Sequence, residues 1–162
     1  MIQCFNNPFL LDFIKLAIKM PEDERKQVEA MTGLPYDVDG VAIGNFTAPG
    51  PKWVFKVDEE PIAVGGFVPR RPGVWQDFML TCPQAFEGSN WFACTRLCRK
   101  IMDSMFKSGA AHRLECIVPA TRIAQRPELE RWYAVLGYNK EGLRYGYCAN
   151  GADAIAYARV KH

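Results

Sequence analysis

The sequence lacks several features, and each absence narrows the field. No apolar run approaches the roughly 20 residues a helix needs to cross a bilayer, so no membrane span is expected. The formal net charge is only +2, too little for the basic footprint of a nucleic-acid-binding protein. The N-terminus has no basic stretch followed by an apolar core and a small-residue cleavage site, and a cytoplasmic protein is expected. No Cys-x-x-Cys pair occurs among the six cysteines, Cys4, Cys82, Cys94, Cys98, Cys116 and Cys148. Cys94 and Cys98 lie one helical turn apart, with His112 and Cys116 following, a grouping that admits a zinc site. Small buried thiols packing a core are the plainer reading, and no metal is expected. Internal repeats, low-complexity tracts and long linkers are also absent.

What is present is a chain of 162 residues, 49% hydrophobic and 23% charged, the balance of an ordinary globular protein. At that length one domain over residues 1–162 buries about 70% of its unfolded surface and needs no disulfide staples. Asn7 and Pro8 suit the start of a helix carrying Leu10, Phe13, Ile14 and Ala17. Pro21 interrupts that pattern. Glu22, Asp23 and Glu24 then fill a new first turn, and Gly33 stops the second helix. Leu34 to Gly40 reads as a loop and Val41 to Phe46 as a short strand. Ala48-Pro49-Gly50-Pro51 is a turn cluster. Trp53 to Val57 and Ile62 to Val68 form a hairpin about Asp58-Glu59-Glu60-Pro61. After a turn at Pro69 to Gly73, Val74 to Leu80 reads as a central strand.

A loop from Thr81 leads to the clearest amphipathic helix, capped by Ser89 or Asn90. Trp91, Cys94, Cys98, Ile101 and Met105 form its apolar stripe, and Arg96, Arg99, Lys100, Asp103 and Lys107 lie opposite. Arg113 to Val118 is the next strand, and a loop between Pro119 and Pro127 follows. Leu129, Trp132, Tyr133 and Leu136 fall at i, i+3, i+4 and i+7, one face of a short helix that Gly137 ends. Strands over Leu143 to Cys148 and Ala154 to Val160, joined at Asn150-Gly151, complete the chain.

The run Trp132-Tyr133-Ala134-Val135-Leu136-Gly137-Tyr138, followed by Glu141-Gly142, resembles the signature of the Gcn5-related N-acetyltransferases, the GNAT family. Ile62-Ala63-Val64-Gly65-Gly66-Phe67 is similar to a strand of the same family, and the order of elements agrees from the hairpin onward. The resemblance implies a mixed α/β (α+β) three-layer fold, with a twisted mixed sheet of about six to seven strands and helices on both faces. Residues 53–160 would be the acyl-CoA-binding core and residues 1–52 a divergent helical part.

The resemblance also implies a site. Two central strands, Val74 to Leu80 and Arg113 to Val118, would splay, and acetyl-CoA would lie between them. Its pantetheine arm would pair with Phe78, Met79 and Leu80 like an added strand. Its pyrophosphate would sit at Gln84, Gly88, Ser89 and Asn90, where a helix N-terminus offers unpaired amides. Tyr133 would protonate the leaving thiolate; a core-edge aromatic is the plainer role for the same residue. Asp77 and Glu115 are the candidate bases for the amine proton, against the role of strand carboxylates that are solvated or ion-paired.

The sequence departs from the family pattern in the pyrophosphate loop, Gln84-Ala85-Phe86-Glu87-Gly88-Ser89. With Gln84 in the first position, Glu87 and Ser89 stand where glycines belong; one inserted residue restores Gly88 but puts Asn90 at the second glycine. Arg126 stands where many relatives bond the cofactor arm with Asn. Two functions therefore stay open. One is an acetyltransferase acting on a primary amine of a small molecule or protein. The other is a catalytically degenerate GNAT-fold protein that binds a partner protein through aromatics such as Trp53, Trp75 and Trp91. The eroded loop is similar to those of compact GNAT-like chains of some tailed bacteriophages, whose place would be the host cytoplasm and whose partner a host enzyme or virion component. A monomer or homodimer is expected.

Overall fold

The computed structural model describes residues 1–161. One seven-stranded sheet runs through it in the order β1-β2-β3-β4-β5-β7-β6. Its strands are β1 (Ile2–Asn6), β2 (Lys52–Val57), β3 (Glu60–Arg71), β4 (Val74–Thr81), β5 (Arg113–Pro119), β6 (Asn139–Arg144) and β7 (Ala154–Val160). All neighbours are antiparallel except the central pair β4–β5. The helices are α1 (Leu10–Lys19), α2 (Glu22–Thr32), α3 (Val38–Thr47), α4 (Asn90–Lys107), α5 (Ala120–Gln125) and α6 (Glu128–Leu136), with a 3₁₀ turn at Pro83–Phe86. Among the described residues no helix is long and apolar enough to cross a membrane.

Strand partners in register share a face of the sheet. The face carrying Cys116, Tyr157 and Arg159 is covered by α4 and α6: Tyr133 stacks on Tyr157 with centroids 4.9 Å apart, and Arg159 is bonded to Asp103. On the other face Ile117 packs with Met31 of α2, and α1 lies against β3 and β4 with α3 beside it. The expected mixed sheet with helices on both faces is therefore the observed one.

The N-terminal third departs most from expectation. β1 was not expected, and α1 begins at Leu10 rather than Pro8, with the Asp12 carboxylate accepting the Phe9 N–H at 2.9 Å. Val41 to Phe46 is helical, not extended. Asp37 caps that helix by accepting the Gly40 N–H at 2.7 Å, and packing on α1, including a Phe13–Phe46 edge contact at 5.7 Å, outweighs the strand-like run Val41-Ala42-Ile43.

Further along, β3 runs on through Pro69 to Arg71 with a register shift there, so the turn is confined to Pro72-Gly73. The expected loop Pro119 to Pro127 contains α5. The penultimate strand lies at Asn139–Arg144 instead of Leu143 to Cys148, because its register with β7 runs from Asn139↔Ala158 to Arg144↔Ala154. Residues 145–153 form a loop rather than a tight hairpin, tied to α2 by the Asn150 N–H on the Ala30 carbonyl. Gly137 (φ +91°) ends α6 in the left-handed region, and a Cβ there would meet the Arg159 side chain at 2.8 Å.

Candidate active site

The central pair of strands builds the site by parting. β4 and β5 pair only through Val74↔Arg113, Trp75↔Leu114 and Gln76↔Glu115; beyond these, 77–81 and 116–119 diverge. The Cys82 N–H bonds the Ile62 carbonyl at 3.0 Å, so alternation turns the backbone groups of Phe78 and Leu80 toward β3 and those of Asp77, Met79 and Thr81 into the gap. A cavity of about 320 Å³ occupies it, lined from both sides of the sheet.

Asp77 stands at the vertex. Its carboxylate accepts the Tyr138 hydroxyl at 2.6 Å, and the Cys116 thiol donates from the facing strand. Burial lifts its pKa from 3.8 to about 6, and the bonds from Tyr138 and Cys116 oppose that rise. Among the described residues no cation partners it. Tyr133, from α6, lines the same cavity; its hydroxyl is held neutral far above its usual range, by burial first and the neighbouring Cys116 second. Burial likewise pushes up the Cys116 thiol and the Tyr138 hydroxyl. The cluster thus holds one carboxylate that titrates near neutrality among three protonated donors. The sequence singled out Asp77 and Tyr133. It missed Tyr138 and Cys116, and the signal for Tyr138 was a hydroxyl directly after the helix-stop glycine, where a plain ring would suffice for packing.

Glu115 is not brought to this cluster. It lies on the opposite parity of β5 and is bonded to Arg113 at 2.7 Å, which also binds Glu141. Phe78, Met79 and Leu80 line the cavity. Gln84 lies in the 3₁₀ turn, where its carbonyl accepts the Asn90 side-chain amide at 3.0 Å. Gly88 (φ +50°) has open space around it; Ser89 precedes α4 without a side-chain cap, and Asn90 begins the helix. Glu87 is exposed. The aromatic rings of Phe86, Trp91, Trp132 and Tyr133 stack in sequence along the groove between α4 and α6, at 4.8, 4.6 and 5.4 Å.

The open end of the gap carries a second carboxylate, which the sequence did not single out. Glu24 of α2 accepts both the Thr81 N–H, at 3.3 Å, and the Thr81 hydroxyl. Arg122 of α5 lies 3.5 Å from Glu24 and also contacts Asp23 and Gln27. Burial raises the Glu24 pKa, and Thr81 and Arg122 oppose it. Arg126 is ion-paired to Glu128 and to Asp23, and lies 5.7 Å from the Phe86 ring. Both arginines are thereby committed to clamping α2 against the end of the gap.

The cysteines offer no metal cage among the described residues. Cys94, Cys98 and Cys116 are free and buried, and His112 is exposed on the far side of the Gly73 turn. Trp53 is buried, the Trp75 indole N–H is bonded to the Ala110 carbonyl, and Trp91 is in the stack, so the three are not exposed anchors for a partner. Among the described residues Phe9, Phe92 and Tyr145 are the most exposed aromatics instead.

No family model matches the chain, and no curated protein matches it in sequence. Solved structures do. An N-acetyltransferase from Staphylococcus aureus Mu50 superposes with a TM-score of 0.72 at 13% identity, covering 99% of this chain and 97% of that one. The ribosomal-protein-S18-alanine N-acetyltransferase from Escherichia coli gives 0.68 at 17%, covering 99% and 94%. AAC(6')-Ib, in complex with paromomycin and acetyl-CoA, gives 0.68 at 14%, covering 99% and 93%. A GNAT-family acetyltransferase from Bacillus anthracis gives 0.69 at 13%, covering 98% and 94%. The fold is that of the GNAT acetyltransferases, shared with these structures at only 13–17% sequence identity. None of these matches supports a bacteriophage origin.

Proposed function

We propose that the protein transfers an acetyl or related acyl group from a CoA thioester to a primary amine of a small molecule or protein. The observation that carries this is the parting of β4 from β5 around Asp77, an enclosed carboxylate with a pKa of about 6 and no cation partner. A general base works best with a pKa near the operating pH. Asp77 takes the proton from the attacking amine, directly or through water. The unpaired Met79 N–H faces the gap and is suited to receive the oxyanion. Tyr133, kept protonated, is the donor for the departing thiolate. A bound acyl-CoA would supply the reactive thioester, held along Phe78 to Leu80, with its phosphates toward Gln84, Gly88, Ser89 and Asn90; Arg126 borders this entrance.

The fit is incomplete at one end. The Thr81 N–H, which an added strand would use, is held by Glu24, and Trp91 and Trp132 stack in the groove beside it. These two features favour the second reading, a degenerate GNAT-fold protein acting by binding a partner. A calorimetric titration with acetyl-CoA separates the two. Micromolar binding, about −8 kcal/mol, supports the enzyme. No heat and no thermal stabilisation at millimolar acetyl-CoA overturns it.

A further inference from the structure

We propose that the half of the gap facing α1–α3 is the acceptor pocket, and that it takes a primary amine on an apolar body with no second charge. This names the acceptor class and rests on the acyl-transfer reading above.

Parity divides the cavity between the two faces of the sheet. Gln76 pairs with Glu115, so Gln76, Phe78 and Leu80 share the face of Ile117, which packs with Met31 of α2. On that side Met20, Val28, Met31 and Val41 complete an apolar wall with Phe78 and Ile117. Gly66, the strand partner of Phe78, makes room for its ring: a Cβ there would meet the ring at 2.5 Å. Thr32 lines the same cavity and is exposed at the end of α2, so this half opens to solvent. A CoA thioester entering between α4 and α6, past Gln84 and Asn90, leaves it free for the acceptor.

Charge decides what can enter. Among the described residues three charged side chains line the cavity, Asp77, Glu24 and Arg122. Asp77 is the base for the reacting amine. Glu24 and Arg122 lie 3.5 Å apart; Arg122 also contacts Asp23, and Glu24 accepts both the N–H and the hydroxyl of Thr81. The other polar side chains in this half, Gln27, Thr32, Asn45 and Gln76, are neutral. A carboxylate beside the amine, as in an amino acid, would find Arg122 already paired. A second ammonium, as in a polyamine, would find Glu24 already paired. Enclosing either charge without a partner is costly. An alkyl or aromatic body instead meets apolar surface, and the thioethers of Met20 and Met31 suit the edge of a ring.

The test uses matched amines that differ by one charge: phenethylamine against phenylalanine, and butylamine against putrescine. Binding is followed through the methyl signals of protein labelled with ¹³C-methyl methionine, and transfer through product formed from acetyl-CoA. Phenethylamine should shift the Met20 and Met31 methyls and leave Met102, on the α4 side, in place. Its kcat/KM should exceed that of phenylalanine by about 100-fold or more, the penalty for enclosing an unpaired charge. Butylamine should exceed putrescine by about tenfold, and Val28→Glu, which puts a carboxylate on the apolar wall, should reverse that order. If Val28→Glu does not fold, the wild-type pairs decide. Turnover of the charged partners at equal or higher rates, or a shift at Met102 in place of Met20 and Met31, overturns the pocket and leaves acyl transfer standing. Selective binding with no product overturns acyl transfer and leaves the selectivity of the pocket standing. Neither binding nor product overturns both.

Discussion

Asp77 and Glu24 are two enclosed carboxylates on the same gap, one at its vertex and one at its open end, and burial raises the pKa of both. Their partners differ. Asp77 receives neutral donors, Tyr138 and Cys116, and faces no cation. Glu24 receives Thr81 and lies against Arg122, itself tied to Asp23 and Gln27. A carboxylate held by neutral donors can gain and lose a proton at modest cost. One that also lies against a cation is held in place and serves as a clamp. The same strand thus carries a group suited to proton transfer and, four residues on, a contact suited to holding α2 in place.

The sharpest way to break this contrast is Asp77→Asn. Loss of a general base is expected to lower kcat/KM by about 10²–10⁴-fold, with acyl-CoA affinity retained in calorimetry. Stability should move the other way. The folded pKa of about 6 exceeds the ordinary 3.8, so the folded state holds the proton more tightly and wild-type stability falls as pH rises through that window. The Asn variant escapes that loss. It should match the wild type near pH 3.5 and exceed it at pH 8 by about 1–2 kcal/mol, less than full linkage predicts because the cavity leaves Asp77 partly exposed. Parallel denaturant-derived stability curves for the two proteins would remove Asp77 from the role of strained, titrating base.

Glu24→Ala tests the other carboxylate. Breaking a buried ion pair at one partner costs about 3 kcal/mol or more, reduced here because Arg122 keeps Asp23 and Gln27. A loss of about 2–3 kcal/mol in urea unfolding is therefore expected. The substitution also frees the Thr81 N–H for an added strand, so acetyl-CoA should bind several-fold more tightly to the less stable protein. Unchanged stability together with unchanged affinity would show that Glu24 neither clamps nor competes.

Tyr133→Phe keeps the ring stack on Trp132 and Tyr157 and deletes only the hydroxyl. Turnover should fall by about 10-fold or more, with melting temperature shifted by only a degree or two. A large stability loss with unchanged turnover would return Tyr133 to a packing role.

How much of this was legible in the sequence follows from how local each cause is. The helix over Glu128–Leu136 and its Gly137 stop are written in short-range spacing and one left-handed position, and both were readable. Central β4 was readable because it is bounded by turns and carries a compact apolar run. β1 was not: Gln3 to Asn6 are exposed, and its pairing with Trp53 to Val57 spans some fifty residues. α3 was misread as a strand because its apolar run carries no helical period, and packing on α1 decided its form. α5, six residues long, is held by Arg122 reaching α2, a tertiary cause. The site divides the same way. Asp77 and Tyr133 were reachable through motif and strand position. Glu24 was not, since Glu22 and Asp23 share its first turn and nothing local says which one turns inward.

The smallest expected effect bears most directly on why Asp77 titrates where it does. The Tyr138 hydroxyl bonds the carboxylate at 2.6 Å and favours its charged form against burial. Tyr138→Phe keeps the ring and removes that bond, so the Asp77 pKa should rise above its present value of about 6. The acidic limb of the kcat/KM profile should move to higher pH while the plateau changes little. The same shift should appear in the ¹³C carboxyl titration of Asp77 with no substrate present, so the effect can be read even in the absence of turnover. Glu24 of α2, held at the Thr81 end of the gap, makes no contact with Tyr138, and its signal provides the control: a variant that moved both carboxylates alike would point to loosened packing rather than a lost hydrogen bond.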